Sequence, residues 1–286
     1  MSSPFSRLCV IGAGTMGHGI AHVSALAGLD VILYDLDEAR VSAGLSKVKK
    51  NLDNGVAKGK VSAEDRDAAL SRLRGSVDLA EAVAGAGLII EAIPERIELK
   101  QQLFARLAPL VAEDAVLATN TSSLSIAQIA AAAPNPSRVI GLHFFNPVFI
   151  MSLLEIVVHK GTDPAVLDAC RAYGAAIGKD CITVQDSPGF ATSRLGVLLG
   201  MEAIRMVQEG VASPEDIDKA MVLGYRHPIG PLKLTDMVGL DVRLAIGEHL
   251  ARTLAHPAFE PPALLREMVE AGKLGQKSGQ GFYAWK

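Results

Sequence analysis

Short apolar runs alternate with amphipathic stretches over the first 185 residues. Leu8–Ile11, Val31–Tyr34, Leu88–Ala92, Ala115–Thr119 and Val139–Leu142 are each too short for a helix and too apolar for a half-exposed strand. That is the pattern of strands buried on both faces. Helical periodicity separates them, beginning with Met16–Ala27 and its terminal Gly28, so a parallel sheet flanked by helices is expected. A charged helical excursion over residues 37–73 interrupts the alternation and carries Lys47, Lys49, Lys50, Lys58 and Lys60. Leu153–Val158, a helix after Pro164, and Cys181–Val184 extend the first domain. Asp186-Ser187-Pro188-Gly189 then breaks the pattern, and helices follow to the end. Among them are a buried helix over Leu195–Val207 and one opened by Ser213 as N-cap with Pro214 behind it. The expected fold is α/β, a doubly wound sheet over residues 1–185 with a second, all-helical domain over 186–286.

The first apolar run ends in Gly12-Ala13-Gly14-Thr15-Met16-Gly17. Gly12 permits a tight strand-to-helix turn, Gly14 lets backbone approach a pyrophosphate, and Gly17 allows close helix packing. The following helix aims its unpaired N–H groups, from Thr15 and Met16 onward, at the phosphates. The second strand ends in Asp35, eighteen residues after Gly17, placed to accept hydrogen bonds from an adenosine ribose and to repel a 2′-phosphate. A glycine loop in this context predicts a Rossmann-like domain that binds NAD rather than NADP.

His143 follows a buried strand and emerges at the strand's carboxyl edge, where ligands gather in open α/β sheets. Its ordinary titration range suits acceptance of a hydroxyl proton. Glu155 lies inside the apolar stretch Leu153–Val158, where an unpaired carboxylate is costly; His143 is the candidate partner. Asn120, Thr121, Ser122 and Ser123 end another strand and bring amide and hydroxyl groups to the same rim, with Ser122 a candidate for holding a substrate oxygen. Glu95 and Lys100 follow the Leu88–Ala92 strand and are candidates for the ribose and nicotinamide side, although as bare residues both read more often as surface charges. His18 and His22 have the i,i+4 spacing of a zinc clasp. They lack an interposed glutamate and a third ligand, so they read as packed helix residues and no metal is expected.

Composition narrows the partners. The chain is 49% hydrophobic and 21% charged with a net charge of −3, which excludes a basic nucleic-acid footprint. Only 5% of residues are aromatic, too few for base stacking on single strands. The N-terminus lacks a secretory pattern, and no apolar stretch reaches the ~20 residues of a membrane span. Cys9, Cys170 and Cys181 are scattered and read as reduced packing residues of a cytoplasmic protein.

Taken together, Gly12–Gly17, Glu91–Glu95, Asn120–Leu124, His143–Pro147, Ser187–Phe190, His227–Pro231, Asp236–Asp241 and Gly279–Tyr283 resemble the 3-hydroxyacyl-CoA dehydrogenase family, near its bacterial 3-hydroxybutyryl-CoA branch. The resemblance runs over essentially the whole chain. It implies a Rossmann-like domain with a helical domain that binds substrate and mediates homodimerisation. It implies reversible NAD-linked oxidation of an (S)-3-hydroxyacyl-CoA, with 3-hydroxybutyryl-CoA the expected substrate. By the same resemblance, His143 is the general base and Glu155 its partner, Ser122 contacts substrate, and Lys50 meets the CoA phosphates. One position departs from the family. Its usual asparagine before arginine is Ser193, ahead of Arg194, and a serine hydroxyl is shorter than an amide and lacks its second donor. Two alternatives stand beside this expectation: a dehydrogenase of a free hydroxy acid, and a catalytically silent NAD(H)-binding relative. Acyl-chain length does not follow from the sequence, nor does the pathway served, fatty-acid metabolism among others.

Overall fold

A computed structural model of the chain describes residues 3–285. Eight strands form one sheet: β1 (Arg7–Ile11), β2 (Asp30–Tyr34), β3 (Leu73–Ser76), β4 (Leu88–Glu91), β5 (Val116–Thr119), β6 (Val139–Phe144), β7 (Leu153–Val158) and β8 (Asp180–Gln185). Their order is β3-β2-β1-β4-β5-β6-β7-β8. The chain winds outward from β1 in one direction and returns to β4 on its other side, so the strand order reverses between β1 and β4. Crevices in open α/β sheets form at such a point.

Neighbouring strands are parallel except for β6 and β7, which run antiparallel. The sequence pattern led to an all-parallel expectation. The connection Phe145–Ser152 is too short to carry the chain back across the sheet, so β7 returns alongside β6 as a hairpin. Strand β3 was not anticipated either. Leu73-Arg74-Gly75-Ser76 is mostly polar, and such a strand is tolerated because it pairs only with β2 at the sheet edge.

Among the described residues seven α-helices accompany the sheet: α1 (Thr15–Leu26), α2 (Glu38–Ala57), α3 (Ala63–Ser71), α4 (Leu79–Val83), α5 (Ile97–Leu107), α6 (Ile126–Ala130) and α7 (Pro164–Ala176). The charged excursion is α2 and α3, capped by Asp37 and Ser62, whose side chains accept from Arg40 N and Asp65 N. Beyond their first residues β1 and β2 are buried, as is all of β4, with Leu8, Val10, Val31, Leu33, Leu88 and Ile90 wholly inaccessible.

The chain divides between Asp186 and Ser187 into two compact units. The second is helical: α8 (Thr192–Gln208), α9 (Pro214–Gly224), α10 (Pro231–Val238), α11 (Leu240–Leu254) and α12 (Ala263–Glu270). It has its own core, which includes Val197, Met201, Ile204, Leu232, Leu250 and Leu265. Its final segment is tied down by polar contacts. Buried Asp236 accepts from Phe282 N, Tyr283 N and Trp285 Nε1 at 2.8–2.9 Å. Among the described residues no helix is long and apolar enough to cross a membrane.

Candidate active site

The glycine turn closes over the end of β1. Gly12 has φ +105°, and a Cβ there would lie 2.6 Å from the Ala92 carbonyl oxygen. A Cβ on Gly17 would lie 1.6 Å from the Gly12 oxygen, so α1 approaches the turn more closely than any side chain permits. Space around Gly14, by contrast, is open. Gly14 is also the N-cap of α1, and no side chain caps that helix, so its first amides are available to an anion.

These elements border a cavity of about 720 Å³. Gly12, Gly14, Thr15, Met16 and Asp35 line it, whereas Gly17 does not, and Ala92, Ile93 and Pro94 form the facing wall. Asp35 braces the turn, its Oδ2 accepting from Ala13 N at 2.8 Å and its Oδ1 from Leu36 N at 2.7 Å. Arg40, Lys47 and Arg106 add positive charge to the lining. An open glycine cradle, an uncapped helix start, an acid at the end of β2 and basic walls suit a dinucleotide.

Along the carboxyl edge, the β6–β7 hairpin determines the next pair. In its register His143 stands directly opposite Glu155. Their side chains meet at 2.6 Å between Nδ1 and Oε2, with Glu155 wholly buried and His143 nearly so. The carboxylate that looked costly in an apolar strand therefore has its partner. Phe145 packs on the imidazole, 4.4 Å between ring centroids.

The remaining rim residues form a network beside β4 and β5. Glu95 Oε1 accepts from the Thr121 hydroxyl at 2.6 Å, Ser122 N at 2.8 Å and the Ser122 hydroxyl at 3.1 Å. Asn120 Oδ1 accepts from Phe144 N at 3.0 Å, which joins this rim to the strand carrying His143. Lys100 is wholly buried rather than lining the cavity. Its Nζ donates to both oxygens of Glu91 at 2.7 and 2.8 Å and to the Asn120 carbonyl at 3.2 Å, and lies 3.5 Å from Glu95 Oε2. Burial pushes the Glu91 carboxyl up from the ordinary carboxylate range, against the pull of Lys100, Thr119 and Ile93, which all donate to it.

Sequence reasoning gave Glu91 no role of its own. Yet it shows the signal that singled out Glu155, an acid within an apolar strand.

A second cavity of about 530 Å³ opens between the C-terminal half of α1, the end of α2, the Phe149–Ser152 segment and the residues after α7. Asn51, Asn54, Lys58, Lys60 and Lys179 supply polar groups there, and Phe149 and Ile150 supply apolar surface. Lys179 Nζ donates to the Val148 and Met151 carbonyls at 2.5 and 2.6 Å, fixing the segment after the His143 motif. His22 lines the same cavity, stacked on Phe149, and burial lowers its imidazole to about 4, with His18 and Lys179 adding repulsion. Lys50 is exposed on α2 and does not line this cavity. Ser193 sits in the first turn of α8, in the helical unit. Among the described residues no group of three or more His, Cys, Asp or Glu side chains could hold a metal ion.

Residues 7–187 match the NAD-binding domain of 3-hydroxyacyl-CoA dehydrogenase, and residues 189–285 match its C-terminal domain. The chain is 44% identical to a 3-hydroxybutyryl-CoA dehydrogenase of Mycobacterium tuberculosis over the full length of both. Among solved structures, it is similar to FadB2 of M. tuberculosis (TM-score 0.95, 44% identity, 99% of each chain). It is equally similar in fold to the (S)-3-hydroxybutyryl-CoA dehydrogenase of Ralstonia eutropha (TM-score 0.95, 41% identity, 99% of each chain). With the dinucleotide cradle and the buried His143–Glu155 pair in place, these matches over both units lead to one conclusion: the chain belongs to the 3-hydroxyacyl-CoA dehydrogenase family of NAD-dependent oxidoreductases.

Proposed function

We propose that the chain interconverts an (S)-3-hydroxyacyl-CoA and its 3-ketoacyl-CoA, with 3-hydroxybutyryl-CoA the first substrate to test. The observation that carries this reading is the 2.6 Å contact between His143 Nδ1 and Glu155 at the carboxyl edge of β6. With Nδ1–H donated to the carboxylate, Nε2 carries the ring's lone pair and accepts the proton of the 3-hydroxyl. Glu155 stabilises the imidazolium that results. NAD, held by the Gly12–Gly17 cradle and Asp35, supplies the two-electron acceptor when bound. Ser122 positions the substrate oxygen by turning its hydroxyl from Glu95 Oε1, which accepts from it at 3.1 Å, to donate to that oxygen, whose own proton goes to His143. The basic second cavity favours a thioester of CoA over a free hydroxy acid, since Lys58 and Lys60 there, and Lys50 on the same helical excursion, suit the CoA phosphates.

The assembly we propose is a homodimer, for which exposed Leu195, Met237 and Val242 of the helical unit offer apolar surface. The compartment we propose is the cytoplasm, in keeping with buried free thiols at Cys9 and Cys170.

The test follows NADH absorbance with acetoacetyl-CoA, then with longer 3-ketoacyl-CoAs and free CoA as competitor. Rapid oxidation inhibited by CoA is the expected result. Oxidation only with free 3-keto acids, insensitive to millimolar CoA, selects the free-acid alternative. NADH binding without oxidation of either kind of substrate selects a silent relative.

A further inference from the structure

Glu91 stands where the strand order reverses, and donors hold both of its carboxylate oxygens. It ends β4, flanked in register by Ile11 of β1 and Thr119 of β5. Its Oε1 accepts from Ile93 N at 2.6 Å and from Lys100; its Oε2 accepts from the Thr119 hydroxyl at 2.6 Å and from Lys100. One carboxylate therefore pins three separate structures. The bond to Ile93 N shapes the Ala92–Pro94 wall of the cofactor cavity. The bond to Thr119 holds the end of β5, from which Asn120 and Ser122 project. The bonds to Lys100 supply a counter-charge for an ammonium with no exposed surface. That ammonium in turn faces the Asn120 carbonyl and Glu95, the acid hydrogen-bonded to Ser122.

We infer that Glu91 is a positioning residue that, acting through Lys100 and Ile93, sets both the wall of the dinucleotide cavity and the Glu95–Ser122 arm of the rim. Two negative carboxylates, Glu91 and Glu95, share the single positive charge of Lys100. Replacing Glu91 by glutamine leaves that charge without its nearest counter-ion, and among the described residues Glu95 becomes the only carboxylate within 4 Å of it. Lys100 then turns to Glu95, draws it away from Ser122 and Thr121, and releases the Asn120 carbonyl. A residue that merely held the core together would change stability alone. Glu91 changes where the groups around cofactor and substrate stand.

The test is a double-mutant cycle on the full-length protein with E91Q, K100M and the double variant. The readouts are NADH affinity from fluorescence titration without substrate, and kcat and KM with acetoacetyl-CoA. E91Q weakens NADH binding about tenfold, equivalent to about 1.4 kcal/mol. It lowers kcat by about 10- to 100-fold through misplacement of the rim. In the K100M background it lowers kcat little further, because the lysine through which it moves Glu95 and Ser122 is already gone. Folded E91Q with unaltered NADH affinity and kcat overturns the inference, as do kcat effects that simply multiply in the double variant. Should E91Q not fold, T119V decides. It removes one donor to Glu91 and no charge, and is expected to shift NADH affinity and kcat in the same direction by a few-fold; no shift in either overturns the inference. The kcat measurement rests on the proposed role of Ser122, whereas the NADH titration needs only the cofactor cavity. An inactive wild type that still binds NADH would sink the proposed function while leaving the titration decisive for Glu91.

Discussion

Replacing Glu155 by glutamine removes one charge and leaves shape nearly unchanged. In the proposed mechanism, oxidation of the alcohol makes the His143 ring cationic with Glu155 against it. An N···O distance of 2.6 Å places the two charge centres about 4 Å apart, and at an effective dielectric of 20 their attraction is about 4 kcal/mol. Glutamine can still accept from Nδ1–H through its amide oxygen, which returns about 1 kcal/mol. The remaining loss of about 3 kcal/mol in the transition state corresponds to a fall in kcat of about 10²-fold. Single-turnover oxidation of the hydroxyacyl-CoA isolates the proton-transfer step from product release. NADH affinity is expected to be unaltered, because Glu155 lies outside the cofactor cavity. A folded E155Q enzyme within threefold of wild-type single-turnover rate would refute the assignment of Glu155 as the partner of the base.

Two further outcomes follow from the same geometry. Gly17→Ala places a methyl 1.6 Å from the Gly12 oxygen, so α1 must retreat. This costs about 1–3 kcal/mol of stability and weakens NADH binding at least about tenfold by fluorescence titration; unimpaired binding would contradict the close packing. His22 is neutral in the fold down to about 4, against an ordinary value of 6.5. Between these values the unfolded chain binds the extra proton, so stability falls as pH drops from about 6.5 towards 4, by up to about 3 kcal/mol. His22→Phe preserves the stacking on Phe149 and should flatten that part of a Tm–pH curve; an equal acid loss in the variant would show that His22 is not its source.

Much of the sheet was readable because buried parallel strands have a short, continuous apolar signature, as in Leu8–Ile11 and Val139–Leu142. The cradle was readable because glycine spacing is dictated by backbone clearance rather than by distant neighbours. Strand β3 was not, since an edge strand can be polar, and nothing local announces that Leu73–Ser76 pairs with β2. Nor was the reversal at β7, which depends on the length of a connection rather than on the strand's own residues. His143 and Glu155 could be named separately, but their contact is a fact of register between two strands. Lys100 was the hardest position to place. A lysine on a charged helix ordinarily points to water, and only the arrangement of Glu91, Thr119 and Asn120 accounts for its complete burial.

The hairpin that brings His143 opposite Glu155 also separates two kinds of evolutionary freedom. The pair is held by ladder bonding between β6 and β7, while the segment joining those strands contributes Phe149 and Ile150 to the basic cavity. Substitutions in that segment can reshape the surface proposed to meet substrate without altering the register of His143 and Glu155. The tip of the hairpin is thus free to vary while its stem keeps His143 against Glu155.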